Sequence, residues 1–236
     1  MDGALPGAKH DMGGWNRACR ATLLLGLVLQ ASLPAPARAS DWEVLVERDG
    51  IVASRRLVEG RDFPQLRAVG EVPGTPYEVL AILRDVPAYV EWLPDCVDSK
   101  TVRVIDAWRS VVYMRTDAPW PVSDREAVVE NQVNFTDAPA KVSVSFRAVT
   151  AANVMQKPGT VRMKFATGSY TIEAIDKARS RVHYEIDADP GGALPDWLIV
   201  LQSRRNPLET IAGLRRQIEK TRGKYQTEIA RFPSGT

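Results

Sequence analysis

The sequence predicts an α+β domain in which a curved antiparallel sheet wraps around a long C-terminal helix and encloses an apolar cavity. Three observations carry this prediction. Segments of two-residue alternation follow one another at hairpin spacing between residues 101 and 188. One short helical stretch precedes them and one long helical stretch follows them. No repeat, low-complexity segment or long linker divides the chain after its N-terminal segment. Antiparallel strands with segregated helices make an α+β domain, and a curved sheet around a long helix leaves space between the two.

The first strands are Trp42 to Val46, Ile51 to Leu57 and Gln65 to Val72, with Arg48-Asp49-Gly50 as a turn between the first two. Thr75-Pro76-Tyr77-Glu78 is a capping box with proline at the first helical position. Val79, Leu80, Ile82 and Leu83 continue that helix to Pro87, which disfavours helix in the residue before it. A second short helix is expected from Pro87 to Leu93. Strands are expected over 101–105, 109–116, 125–135, 141–149, 161–165, 169–175 and 181–188. Val142, Val144, Phe146 and Ala148 alternate with Lys141, Ser143, Ser145 and Arg147, which marks a sheet with one dry and one wet face. Val182, Tyr184, Ile186 and Ala188 alternate in the same way with His183, Glu185 and Asp187. Inward parity changes near Gly168, which predicts a bulge there. Leu194 to Leu201 reads as a short apolar helix, and Asn206-Pro207-Leu208-Glu209 as the start of a separate long one. Ile211, Leu214, Ile218, Thr221, Tyr225 and Ile229 share one face of that long helix.

The N-terminus has a different character. Arg17 and Arg20 precede an apolar run over residues 21–31, and Ala37-Arg38-Ala39 follows it. This is the pattern of a secretory signal peptide over residues 1–39, cut after Ala39, with export to the periplasm or beyond. Met12 would give a cleaner basic start than Met1, because Asp2 and Asp11 are acidic. The apolar run falls short of the ~20 residues that span a bilayer. Four of the 31 basic and two of the 29 acidic residues lie in this segment, which leaves 27 of each in residues 40–236. The basic pI of 8.6 therefore reports the leader and gives no footprint for nucleic acid. Cys96 is the only cysteine after residue 39, so that part has no internal disulfide.

Three local strings give a resemblance. Asp85-x-x-x-Tyr89-x-x-Trp92 comes first. Pro119-Trp120-Pro121-Val122-Ser123-Asp124-Arg125-Glu126 resembles a Pro-x-Pro-x-x-x-Arg-Asp segment, with Glu126 in place of the usual Asp. Asp189-Pro190-Gly191-Gly192-Ala193-Leu194-Pro195-Asp196-Trp197 resembles a turn into the last helices. In this order and at these intervals they resemble the START domain family, the lipid-transfer branch of the polyketide-cyclase-like superfamily, over about residues 41–225. The resemblance implies a helix-grip fold that holds one lipid (a sterol, phospholipid, isoprenoid or fatty acid) without covalent chemistry or a cofactor. It makes residues 40–236 a single START-like lipid-binding domain.

Arg125 shares strand parity with Ala127, Val129, Asn131, Val133 and Phe135, which puts two polar residues on a dry face. A buried charge needs a partner. Arg125 either pairs with an internal carboxylate or holds the polar end of a lipid, and the resemblance implies that Asn131 faces the ligand. Phe146, Met163, Tyr170 and Tyr184 are candidates for the apolar cavity wall. Trp197 and Leu201 are candidates for the hinge or inner face of a lid. Trp120, in a loop, either packs on the terminal helix or dips into a membrane interface. A basic face between Arg204 and Lys224 would suit transient contact with anionic lipid head groups. Enzymatic alternatives find little support. His183 is the only histidine after residue 39 and lies at wet-face parity, so a histidine-based nucleophile arrangement has no base in the pocket. No Cys/His cluster has metal-ligand spacing. An arginine- or tyrosine-based polyketide cyclase or dehydratase, and an envelope scaffold with a vestigial pocket, stand as the other readings.

Overall fold

The computed structural model describes residues 42–151 and 153–234. The N-terminal segment read as a signal peptide lies outside them. Among the described residues ten strands form one sheet: β1 (Glu43–Arg48), β2 (Ile51–Arg56), β3 (Gln65–Pro73), β4 (Cys96–Val104), β5 (Arg109–Thr116), β6 (Asp124–Asp137), β7 (Lys141–Ala148), β8 (Thr160–Arg162), β9 (Phe165–Ala174) and β10 (Arg179–Asp189). Their order is β1-β2-β3-β10-β9-β7-β6-β5-β4, with β8 alongside β6. Neighbours are antiparallel apart from the short β6–β8 pair. The helices are α1 (Pro76–Arg84), α2 (Tyr89–Trp92), α3 (Asp196–Lys220) and α4 (Gln226–Ile229).

The capping box at Thr75 is formed in both directions: the Thr75 amide donates to Glu78 Oε2 at 2.7 Å and the Glu78 amide to Thr75 Oγ1 at 3.3 Å. α1 stops at Arg84, and a 3-10 turn over Val86–Ala88 leads straight into α2. The inward faces of the strands carry the apolar halves of the alternation. Ala68 and Val72, Val182 and Tyr184, Tyr170 and Ile172, and Val142 and Val144 are all buried there, beneath α1 and α3.

Three expectations need correction. The bulge at Gly168 is absent, because β9 pairs without a break with both β10 and β7. The parity change falls instead where the chain leaves β8 for β9, at Met163 and Lys164. Gly168 has a packing reason: it sits in one row with Ile186, Phe146 and Asn131, and an added Cβ would strike the Phe146 ring and the Glu185 carbonyl. The two helices expected around Asn206 are one continuous helix, α3, with Pro207 buried inside it. Proline costs one intrahelical bond there. Leu198, Leu208, Ile211, Leu214 and Ile218 are all buried on this one helix, so a break would sacrifice packing along its length. Finally, α3 ends at Lys220, because Gly223 takes φ +79° and turns the chain back. Tyr225 keeps its predicted burial from this turn, and its hydroxyl donates to Asp85 at 2.8 Å.

The outer face of the sheet is dry over part of β5 and β6. Val111, Tyr113 and Val128 form a second buried cluster with Val149, Ala151 and Val154 from the connection between β7 and β8. Glu126, of opposite parity to Arg125 and so on this outer face, is therefore 1% exposed. It accepts from Arg162 Nε at 2.8 Å and from the Tyr113 hydroxyl at 2.9 Å.

Candidate lipid-binding cavity

A cavity of about 290 Å³ lies between the inner face of the sheet and α3. β5, β6, β7, β9 and β10 supply its wall, and α2 and α3 its cover. Of the eight residues singled out from the sequence, Arg125, Asn131, Phe146, Met163, Tyr170 and Tyr184 line it. Their common location follows from register. Tyr184 pairs with Tyr170 and Tyr170 with Val144, while Phe146 pairs with Asn131. Inward side chains of neighbouring strands thus fall into rows across the sheet. The Tyr170 and Tyr184 rings stack at 4.7 Å, with Phe146 6.2 Å from Tyr170. Burial pushes both phenols well above the ordinary tyrosine range, so they are neutral hydroxyls.

Trp197 and Leu201 do not line the cavity. They are 56% and 47% exposed. The expectation that they form the hinge or inner face of a lid fails, because they already belong to the continuous helix α3, which begins at Asp196. Helical spacing then turns Leu198 and Gln202 inward, one turn apart, and turns Trp197 and Leu201 out. Trp120 does not pack on the terminal helix either, being 93% exposed. On β5 Met114 faces the cavity and its neighbour Tyr113 the outer cluster. Leu83, Tyr89, Trp92 and the inner face of α3 are wall residues that the strand pattern could not reveal. Tyr89 donates to the Leu83 carbonyl at 2.6 Å, so it is already satisfied.

The polar groups of the cavity are few. Arg125 is 8% exposed. Its Nη1 donates to the Ser123 carbonyl and its Nη2 to the Gly191 carbonyl at 3.1 Å. Its Nε has no partner, and neither do Trp92 Nε1 and Gln202 Oε1. The internal carboxylate offered as one partner for Arg125 is absent among the described residues. Asp124 is committed to Arg115 at 2.9 Å, and Glu126 projects to the opposite face and pairs with Arg162. Burial lowers the Arg125 pKa, which records an incompletely compensated charge. The basic face on α3 is largely engaged. Arg205 pairs with Asp95 at 2.6 Å, Lys220 with Glu91 at 2.9 Å, and Arg215 donates to the carbonyls of Glu71 and Asp49.

A stacked aromatic wall, a mostly apolar lining and a handful of inward polar groups have the make-up of a small-molecule binding cavity. Comparison with known proteins shows the family. The family model described as START domain matches residues 28–207. An uncharacterized protein of Pseudomonas aeruginosa is 27% identical over 186 residues, which is 78% of this chain and 90% of the relative. The phosphatidylcholine transfer protein of Mus musculus is 28% identical over 173 residues, covering 72% of this chain and 80% of the relative. The crystal structure of a STAR-related lipid transfer protein fragment from Xanthomonas axonopodis, 27% identical, superimposes with a TM-score of 0.68 over 76% of this chain and 99% of the fragment. Human StAR-related lipid transfer protein 5 shares the fold, with a TM-score of 0.70 at 21% identity over 78% of this chain and 89% of its own. The chain belongs to the START domain family, whose members bind lipids and transfer them.

Proposed function

We propose that this protein takes one lipid into the cavity beneath α3 and carries it between membranes of the cell envelope, without chemical change to the lipid. The observation that carries the reading is the cavity itself: a space of about 290 Å³ between the sheet and α3, lined mainly by apolar side chains. Protein interiors are close-packed, and an apolar void this large forfeits contact energy unless something occupies it.

Transfer requires the mouth to meet a bilayer. Phe63, Pro64, Pro119 and Leu194 belong to loops that border the cavity. The exposed apolar residues Leu57, Trp120, Trp197, Val200 and Leu201 lie on the same loops and on the outer face of the α3 segment that covers the cavity. Tryptophan is favoured at the membrane–water boundary. A bilayer is the occupant that suits an apolar rim around a lipid cavity. The N-terminal pattern up to Ala39 supports placement in the envelope. The intact mass of protein recovered from the periplasm should begin at Ser40, and full-length protein in the cytoplasm would overturn that placement.

The deciding experiment is native mass spectrometry of protein purified without detergent, followed by organic extraction. A stoichiometric lipid and measurable transfer of it between vesicles are expected. A mass that stays unliganded after incubation with mixed membrane lipids refutes the carrier reading and favours a scaffold or enzyme.

A further inference from the structure

A guanidinium removed from water is stable only beside an anion or a full set of acceptors. Arg125 has neither. Two main-chain carbonyls take Nη1 and Nη2, and Nε is unpartnered in a residue that is 8% exposed. The neighbouring acids are engaged elsewhere: Asp124 with Arg115, Glu126 with Arg162, and Asp189 with the Gly191 amide at 2.8 Å. Asp117, which also borders the cavity, is exposed to solvent. A second orphan donor lines the same space. Trp92, 4% exposed, has no acceptor for Nε1. The cavity thus holds a buried positive charge, a spare indole N–H and one spare neutral acceptor, Gln202 Oε1, and the group missing beside the guanidinium is one with negative charge.

From this we infer that the lipid carried here has an oxyanion, a phosphate or a carboxylate, whose oxygens accept from Arg125; the inference rests on the carrier reading above. Arg125 lies at the start of β6, against the Gly191 turn that leads into α3. Ala127 and Val129 follow on the same face of β6 and line the cavity. The anion then sits at the Gly191 end, and the hydrocarbon runs along β6 towards the stacked tyrosines. A lipid with a neutral head, such as a sterol, diacylglycerol or fatty alcohol, leaves the guanidinium without a counter-charge.

The test uses matched probes on the full mature protein: palmitate against hexadecanol, and dioleoyl phosphatidic acid against dioleoylglycerol, with cholesterol and inorganic phosphate as further arms. Binding is read by native mass spectrometry and by displacement of a fluorescent fatty acid. At least one oxyanion-bearing probe should bind one to one and exceed its neutral partner by roughly 10- to 100-fold, the range for hydrogen bonds to a charged group. Arg125→Gln should abolish that preference. If this variant does not fold, the matched pairs on the unmodified protein still decide the matter. Equal uptake of the neutral probes or of cholesterol overturns the inference and leaves the carrier reading intact. Binding of inorganic phosphate with no preference among lipids overturns it too. No uptake of any lipid sinks the carrier reading itself.

Discussion

Replacing Glu126 by Leu tests how the outer face of the sheet is fastened. Glu126 is 1% exposed, accepts from Arg162 Nε at 2.8 Å, the Tyr113 hydroxyl at 2.9 Å and the Lys157 amide at 3.3 Å, and pairs with the Arg162 charge, whose Nη2 lies 2.7 Å away. Removing one partner of a buried pair costs about 3–5 kcal/mol, because the other charge is left behind. The Arg162 side chain is 23% exposed and regains some water, so the lower end, ~3 kcal/mol, applies to the pair. The stranded Tyr113 hydroxyl, fully buried, adds ~1 kcal/mol more at the lower end for an unpaired donor, and the long contact from the Lys157 amide is neglected. A total near 4 kcal/mol corresponds to a fall in Tm of roughly 8–16 °C for a domain of this size. Urea unfolding and calorimetry would measure it. Adding Arg162→Met should restore part of the loss, since it removes the stranded charge. A loss below ~1 kcal/mol for Glu126→Leu, or a double variant as unstable as the sum of the two single ones, refutes the reasoning. The same site fixes an acid limit. Burial alone would raise the Glu126 pKa, but the hydrogen bonds from Arg162, Tyr113 and the Lys157 amide outweigh it and hold the value below the ordinary 4.5. A carboxyl depressed in the folded state contributes stability that is present above its unfolded pKa and lost as pH falls through the folded one. Glu126→Gln should therefore flatten the stability profile below about pH 4.5 while leaving its shape near neutrality unchanged.

Three further outcomes are expected. Val129→Trp, which projects into the cavity, should remove the co-purified lipid at a stability cost of ~1–3 kcal/mol; lipid retained at full occupancy would show that the cavity is not the binding space. Trp120→Ser with Trp197→Ser should slow transfer between vesicles while changing stability by no more than ~0.5 kcal/mol per site, since both side chains are exposed; unchanged transfer rates would remove the rim from the mechanism. Gly213→Ala should destabilise the fold by ~1–2 kcal/mol: helix propensity favours alanine by ~1 kcal/mol, but its Cβ would strike the Trp92 carbonyl, and a stabilised variant would contradict the close approach of α2 to α3.

Element types, the inward parity of most strands and six cavity residues can be read from neighbouring side chains alone, because two-residue alternation and helix caps are local properties. The capping box at Thr75 and the row of β-branched and aromatic residues in β7 and β10 needed nothing beyond their own segments. What lies over each face was decided elsewhere in the chain. Glu126 reads as a wet-face residue until the β7–β8 connection covers it, and Gly168 reads as a bulge until Phe146 is seen to fill its place. Asn206-Pro207 carries a helix-start signal that long-range packing of α3 overrides. Arg125 and Glu126 are adjacent in the chain, yet alternation sends them to opposite faces, and only the folded sheet shows that the acid found an arginine while the arginine found none of the acids. Partners that meet across many residues of chain leave no local pattern, so the uncompensated charge in the cavity is a property of the tertiary structure alone.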